Sequence, residues 1–160
     1  MRIALIALLW VVPALARADV YASKAGKVSI DIPKKWSVKA TDEIVRATPP
    51  TNDVALAMWV VDSPDLKAAL QKLEGELYSS VDGLKWVERT RTMKIHDLPG
   101  KWIEGMGLSS RRTQLDVLVV VAGPTPTKKG VILLAVVDHD KLAANRAAIQ
   151  SIFETLKSAK

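Results

Sequence analysis

The chain of 160 residues contains no cysteine, and it has only two histidines and one phenylalanine. Without cysteine there is no disulfide framework, no thiol nucleophile and no cysteine-ligated metal. Neither His96 nor His139 belongs to a His-Glu-x-x-His motif, and the chain also lacks a phosphate-binding loop, a dinucleotide fingerprint and a nucleophile elbow. These absences exclude the enzyme classes that such motifs identify. We therefore expect no catalytic residues, no cofactor-binding residues and no metal ligands.

One short segment does contain the residue types of a metal site, namely Asp138-His139-Asp140. Three consecutive residues cannot all face one ion unless the backbone turns sharply, and the sequence offers no second cluster of ligands. Because the segment precedes a predicted helix, capping by Asp138 or Asp140 accounts for the acidic residues. We therefore expect capping here and no metal.

Residues 1–18 have the pattern of a secretory signal peptide. Arg2 precedes a short apolar run, and Ala16-Arg17-Ala18 is the small-x-small pattern that signal peptidase recognises. The run is too short to span a bilayer comfortably. We expect cleavage before Asp19, a mature single domain of residues 19–160, and a location in the periplasm or outside the cell.

The charge balance of the mature chain is mild. Cleavage removes Arg2 and Arg17, so 21 basic and 17 acidic residues remain and the net charge falls from +6 to +4. This excess does not indicate nucleic-acid binding, although it favours weak attraction to an anionic membrane surface. With 49% hydrophobic residues, a domain of this length can be stabilised by its core without disulfides.

Three short apolar runs predict buried strands: Val54–Val61, Val117–Ala122 and Val131–Val137. Strands that are apolar at every position are buried on both faces of a sheet, whereas alternating strands are buried on one face. Residues 27–32 alternate and predict a half-buried strand, and residues 20–26 are expected to be a loose start. Both faces of the sheet centre must therefore be covered by other elements.

Two amphipathic segments supply that cover. Leucines at helical spacing predict a helix over Ser63–Val81, with its first residue as the N-cap and Gly83 as the stop. A second helix has its apolar face over Leu142–Leu156, with Lys157 and Lys160 at its end. Short connections favour hairpins. The expected fold class is α+β: an α/β/α sandwich with a central, mainly antiparallel sheet and one long helix on each face.

A polar hairpin is the best candidate for a functional surface. Lys85–Ile95 and Lys101–Leu108 predict its two arms, joined by a turn at His96–Gly100. Basic residues beside tryptophans suit an acidic partner, an anionic lipid head group or a glycan. The alternative is a solvated edge whose charges prevent aggregation. The candidate partner-binding residues are Trp86, Arg89, Arg91, Lys94, Lys101, Trp102, Arg111 and Arg112.

Three short segments, Ile30–Trp36, Asp65–Leu70 and Leu98–Trp102, resemble the opening strand, the first helix and the mid-sheet turn of a known superfamily. Together with the order of elements, they make the chain similar to the PsbP/Mog-like proteins. That superfamily includes an extrinsic photosystem subunit, a nuclear-import factor that binds the GTPase Ran, and DcrB-type bacterial exported proteins. The resemblance spans roughly residues 26–157 and implies an α/β/α sandwich. Because members are mostly adaptors or accessory proteins, it also implies a non-catalytic role.

We therefore expect an exported, non-catalytic accessory or binding protein of the cell envelope, with an envelope protein as its partner. One alternative is a carrier of a small or lipid-like ligand between sheet and helix, which requires a cavity larger than packing permits. Another is a hydrolase, which requires a concave cluster of acids or histidine with shifted pKa values. The sequence leaves the oligomeric state open.

Overall fold

The computed structural model describes residues 17–87 and 89–159. Most of the predicted leader lies outside these residues, so its cleavage stays a prediction. The strands are β1 (Ala18–Ser23), β2 (Val28–Pro33), β3 (Ser37–Ala40), β4 (Ile44–Thr48), β5 (Val54–Val61), β6 (Asp82–Trp86), β7 (Arg91–Ile95), β8 (Leu98–Leu108), β9 (Gln114–Ala122), β10 (Gly130–Asp138) and β11 (Lys157–Ser158). The helices are α1 (Leu66–Leu77) and α2 (Leu142–Phe153), the latter preceded by a short 3-10 turn, His139–Lys141. Neither helix of the described part is long and apolar enough to cross a membrane.

Eight strands form one antiparallel sheet in the order β3-β4-β5-β10-β9-β8-β6, with β7 also paired to β8. Its centre consists of β5, β10 and β9, the three strands that continuous apolar runs predicted. Leu133 on β10 lies opposite both Met58 on β5 and Val120 on β9, and all three side chains are buried. Helix α1 packs on one face of this sheet and α2 on the other. The predicted α+β class and antiparallel sheet are confirmed.

A second sheet, in the order β1-β2-β11, lies with α2 on one face of the large sheet. The loose start predicted for residues 20–26 was wrong in its first part, because Ala18–Ser23 form β1 and pair with β2 along their whole length. The half-buried pattern predicted for β2 was also incomplete, because Val28, Ser29 and Ile30 are all buried. Strand β2 has a neighbour on each side, and Ser29 lies opposite Ala22 of β1 and Lys157 of β11.

The N-terminus of α1 was predicted at Ser63 but is capped by Asp65. The Asp65 carboxylate accepts a hydrogen bond from the Ala68 N–H at 2.9 Å, as an N-cap does. The Ser63 hydroxyl instead accepts from the Asp65 N–H at 3.1 Å and shapes the turn before the helix. Both residue types favour helix starts, and local hydrogen bonding decides between them.

The other end of α1 also differs from the prediction. The helix ends at Leu77, whereas Gly83, the predicted stop, lies inside β6 with a positive φ of 60°. Val81 is buried in the connection between them. The leucine stripe is confirmed as part of the core, since Leu73 is completely buried against the sheet.

Helix α2 follows the 3-10 turn, and no side chain caps it. The predicted capping by Asp138 or Asp140 was therefore wrong, because Asp138 precedes the 3-10 turn, Asp140 lies within it, and no side-chain capping bond forms at the start of the turn or of the helix. The helix ends at Phe153, and Lys157 belongs to β11 instead of the helix end. Lys160 lies outside the described residues.

The long hairpin has an interruption in one arm. Lys85–Ile95 was predicted as one strand, but β6 and β7 are separate strands that pair with β8 in succession. Trp86 lies opposite Gly105, and Arg91 lies opposite Trp102. From Trp86 to Arg91 the first arm advances by five residues, whereas the paired residues on β8, Gly105 and Trp102, are only three apart. The connection between β6 and β7 therefore contains two residues more than continuous pairing would need.

Candidate functional site

Helix α1 covers only part of the sheet face on which it lies. It has 12 residues, or about 18 Å at the usual rise, and it packs through Ala69, Leu73 and Leu77. Beside its C-terminal half, the same face of β4, β5 and β10 forms an open groove of about 520 Å³. We call this space the α1 groove.

The floor of the α1 groove is apolar. Ile44 on β4 lies opposite Trp59 on β5, and Val136 on β10 lies opposite Ala55. Ala55 is exposed and Ala57 is only half-buried, although both belong to an inner strand of the sheet. Small side chains on this strand leave a depression that larger apolar side chains would fill.

Four charged residues, Glu43, Arg46, Lys72 and Glu76, line the rim of the α1 groove. All four are exposed, and none forms an ion pair with another residue in the part of the chain that the structure describes. Two cations and two carboxylates balance each other, so the rim has no net charge. This arrangement suits a ligand with an apolar body and a neutral or zwitterionic polar end.

The sequence suggested a ligand between sheet and helix only as an alternative and without naming its residues, and none of the predicted partner-binding residues lines the α1 groove. One signal was available, because Ala55 and Ala57 alternate on a strand whose other residues are larger and apolar. That pattern marks a shallow position on one face of the sheet. Whether the depression stays open depends on the path of α1, which the sequence pattern did not specify.

Trp86, one of the predicted binding residues, packs on the α1 face of the large sheet. A Cβ atom at Gly105 would lie 2.8 Å from the Trp86 ring, so this glycine permits the ring to lie against β8. The Trp86 Nε1 donates a hydrogen bond to Glu74 of α1 at 2.5 Å. The ring is half-buried, and its polar edge is already engaged within the protein.

Trp102 points to the opposite face and is only 4% exposed. Its ring meets Phe153 of α2 edge-on, with centroids 5.8 Å apart, and the Arg91 guanidinium lies 5.4 Å from its centroid. The Trp102 Nε1 donates to Glu104 Oε1 at 2.9 Å. A partner could therefore contact Arg91, whereas Trp102 serves as a buried support for it.

Glu104 and Arg146 form a bidentate ion pair between β8 and α2, with hydrogen bonds of 2.8 Å and 3.1 Å. The hydrogen bond from Arg146 holds the pKa of Glu104 below its ordinary value, and the same bond raises the pKa of Arg146. The preceding residue, Asn145, donates a hydrogen bond from its side-chain amide to the Asp53 carboxylate at 3.0 Å. Asn145 and Arg146 thus hold α2 at two separate places on the sheet, beside the start of β5 and on β8, and these bonds orient the helix.

The remaining predicted residues divide between the two ends of β8. Lys94 on β7 and Lys101 on β8 lie near one end of β8, and Arg89 lies in the interrupted connection beside the middle of that strand. Arg111 and Arg112 lie in the turn after the other end, roughly 30 Å away along an 11-residue strand. The structure therefore brings Arg89, Lys94 and Lys101 to one edge and leaves the two later arginines apart from them.

A second cavity, of about 730 Å³, lies where β10 meets α2 and is lined by Ser109 and His139 among others. The His139 Nδ1 lies 2.7 Å from Asp116 Oδ2, and Asp116 is buried. Such a pair orients an imidazole for proton transfer. The Ser109 hydroxyl, however, accepts hydrogen bonds from the Arg111 and Thr113 N–H groups of its own turn. These bonds shape the turn that follows β8.

The segment Asp138-His139-Asp140 does not converge on one point. His139 binds Asp116 of β9, and Asp140 lies 3.3 Å from the ammonium of Lys141. Within residues 17–87 and 89–159, no group of three or more histidine, aspartate or glutamate side chains is arranged to hold a metal ion.

Solved structures share this arrangement of elements. The cyanobacterial PsbP protein CyanoP from Synechocystis sp. PCC 6803 is similar with a TM-score of 0.65 at 9% identity, covering 90% of this chain and 94% of CyanoP. The Ran-binding protein Mog1p of Saccharomyces cerevisiae is similar with a TM-score of 0.57 at 12% identity, covering 91% and 97%. LpqN of Mycobacterium tuberculosis, involved in cell envelope biogenesis, is similar with a TM-score of 0.55 at 14% identity, covering 90% and 91%.

No protein-family model matches the chain, and no curated protein matches it significantly. The structural likenesses show that the chain has the PsbP/Mog1-like fold, as the resemblance of its short sequence segments implied. At this level of identity they show the fold alone.

Proposed function

We propose that this protein is an exported, non-catalytic binding protein of the cell envelope, and that it holds an amphiphilic small molecule in the α1 groove. The observation that supports this most is the open space of about 520 Å³ between α1 and the sheet. Ligand pockets in proteins span about 300–1,000 Å³ and have mainly apolar walls with a few polar groups. The cores on both sides of the sheet are otherwise filled with buried side chains.

The envelope location has two supports. The N-terminal segment has the three parts of a secretory signal, from Arg2 through the apolar run to Ala16-Arg17-Ala18. LpqN, which has the same fold, is a protein involved in cell envelope biogenesis. We infer an envelope location for this chain and an envelope component as the source of its ligand.

The non-catalytic part of the proposal rests on the titratable groups. The pKa values of Asp53, Asp97 and Glu104 are all lowered, chiefly by hydrogen bonds from Thr51, Ser158 and Arg146 respectively. A catalytic acid at neutral pH needs the opposite shift, a raised carboxyl pKa. Each of these three carboxylates has a structural partner, so none of the three has the raised pKa of a catalytic acid.

Filling the groove tests the proposal directly. Ala57→Trp places a large ring on the floor of the α1 groove, while Ala148→Trp adds the same ring to an exposed position of α2. The probe is N-phenyl-1-naphthylamine, an uncharged apolar fluorophore. We expect the parent protein and Ala148→Trp to bind it equally, and Ala57→Trp to bind about tenfold more weakly or not at all.

Thermal unfolding of the three proteins separates loss of the groove from loss of the fold. Binding by Ala57→Trp at full strength, with a native melting temperature, would contradict a ligand site in the groove. The natural ligand can then be sought by denaturing protein purified from envelope extract and analysing the released small molecules by mass spectrometry. A molecule recovered from the parent and from Ala148→Trp, but not from Ala57→Trp, would be the groove ligand.

A further inference from the structure

One edge of the large sheet is open and positively charged. Strands β6 and β7 lie in line along β8, and among the described residues no strand pairs with their outer side. An unpaired edge presents backbone N–H and C=O groups that can hydrogen-bond to another extended chain. We use the name basic edge for this region, which is defined by Lys85, Arg89, Arg91, Lys94 and Lys101.

The basic edge has an excess of basic over acidic residues. Residues 85–101 contain five basic and two acidic residues, Glu88 and Asp97, which gives a net charge of +3. Asp97 is hydrogen-bonded to Ser158 of β11. None of the five basic side chains forms an ion pair with an acid in the described part of the chain. The net positive charge per residue is therefore higher in this segment than in the whole chain of 160 residues, whose net charge is +6.

The cations of the basic edge occupy both faces of the sheet. Arg91 lies opposite Trp102, which belongs to the core on the α2 side. Lys101 is offset by one residue from Trp102 along β8 and therefore lies on the α1 side. Lys94 shares that side, because it lies opposite Pro99, two residues from Lys101. Side chains of an added strand would also alternate between the two faces of the sheet. An acidic residue on either face of that strand would therefore lie near a cation of the basic edge.

Apolar side chains are also exposed near this edge, although an edge that is only solvated would be expected to carry polar side chains. Val87 and Met106 are 41% and 44% exposed, and they are two of only four large hydrophobic side chains exposed in the described residues. Both lie beside the interruption between β6 and β7. Met and Arg are enriched at protein interfaces, where apolar contacts are surrounded by polar groups. Arg91 is also preorganised by its position over the Trp102 ring.

We propose that the basic edge binds an acidic, extended segment of a partner protein, which adds to β7 as a further strand. Backbone hydrogen bonds along β7 supply affinity, and the cations on both faces select acidic residues. Arg111 and Arg112 take no part, because they lie beyond the other end of β8. This site is separate from the α1 groove, so either proposal can fail without the other.

The test uses the mature protein and a short blocked peptide that repeats Glu-Glu-Thr-Val, which presents acids on both faces of a strand. One comparison peptide replaces Glu by Gln. Another keeps every Glu but replaces each Thr and Val by Pro, which removes N–H donors needed for strand pairing. We expect binding of the first peptide, detected by calorimetry, and slower hydrogen exchange of β7 amides. Both comparison peptides should bind at least about tenfold more weakly.

Charge reversal of the protein supplies the matched test. Lys94→Glu with Lys101→Glu should weaken the acidic peptide at least about tenfold. Lys35→Glu with Lys39→Glu changes the net charge equally at a distant, exposed position and should leave binding unchanged. Equal weakening by both double variants would show a general charge effect and overturn the site.

Two further outcomes would also overturn the proposal. Undiminished binding of the proline-containing peptide would mean that charge alone attracts it, without strand addition. Binding of phosphatidylglycerol vesicles that Lys94→Glu with Lys101→Glu abolishes, combined with no peptide binding, would assign the basic edge to a membrane surface instead.

Discussion

The ion pair between Glu104 and Arg146 joins β8 to α2, and its contribution to stability can be worked out before it is measured. Its hydrogen bonds of 2.8 Å and 3.1 Å are bidentate, but both side chains are 36% exposed. Hydrogen bonds to charged groups contribute about 1.5–3 kcal/mol, whereas exposed ion pairs contribute about 0.2–1 kcal/mol. Since solvent screens this pair in part, we expect a coupling free energy of about 1–1.5 kcal/mol.

A double-mutant cycle measures this coupling. Urea unfolding at about pH 7 compares the parent, Glu104→Gln, Arg146→Gln and the double variant. Glu104→Gln keeps an oxygen for the hydrogen bond from Trp102 Nε1, so the cycle isolates the charged pair. The coupling should shrink in about 1 M NaCl. A coupling free energy below about 0.3 kcal/mol, the scatter of independent sites, would refute the reasoning.

The same pair predicts a pH dependence. Arg146 lowers the pKa of Glu104 from its ordinary value of 4.5. A carboxylate with a lowered folded-state pKa stabilises the fold fully above its unfolded-state pKa, and this contribution is lost as the pH falls through the folded-state pKa. The coupling should therefore be constant near neutrality and decline below about pH 4.5. The stability of Glu104→Gln should fall less steeply with acid than that of the parent.

Two predictions concern α1. Leu73→Ala should lower the free energy of unfolding by about 2–5 kcal/mol, because Leu73 is completely buried between α1 and the sheet; a melting temperature that does not move would contradict its place in the core. Asp65→Ala should cost about 0.5–2 kcal/mol in urea unfolding through loss of the N-cap. Ser63→Ala should cost less, and the reverse order would show that the N-cap is Ser63.

The centre of the fold could be predicted because its signals are local and redundant. Val54–Val61 and Val131–Val137 are apolar at nearly every position, which requires cover on both faces and therefore both helices. Strand β1 could not be predicted in this way. It is exposed over much of its length, and its residues become a strand because β2 offers them a pairing edge. Pairing of this kind depends on tertiary context more than on local composition.

The candidate sites depend even more on context. Proximity in sequence suggested one surface from Trp86 to Arg112, but the 11-residue strand β8 separates Lys94 and Lys101 near one of its ends from Arg111 and Arg112 beyond the other. The burial of Trp102 under Arg91 follows from the position of Phe153, which lies far away in the chain. Likewise, the α1 groove exists because a short helix crosses the sheet beside Ala55 and leaves it uncovered. Neither relation is encoded in a window of neighbouring residues.

The small sheet has a consequence for the order of folding. Its middle strand, β2, pairs with β1 immediately before it in the chain, but its other neighbour is β11. The bond from the Asp31 N–H to the Thr155 hydroxyl spans 124 positions. Contacts of such long range form late, because the closure of a long loop costs entropy first. During synthesis, β2 must therefore wait for residues 155–158 before its second edge is paired.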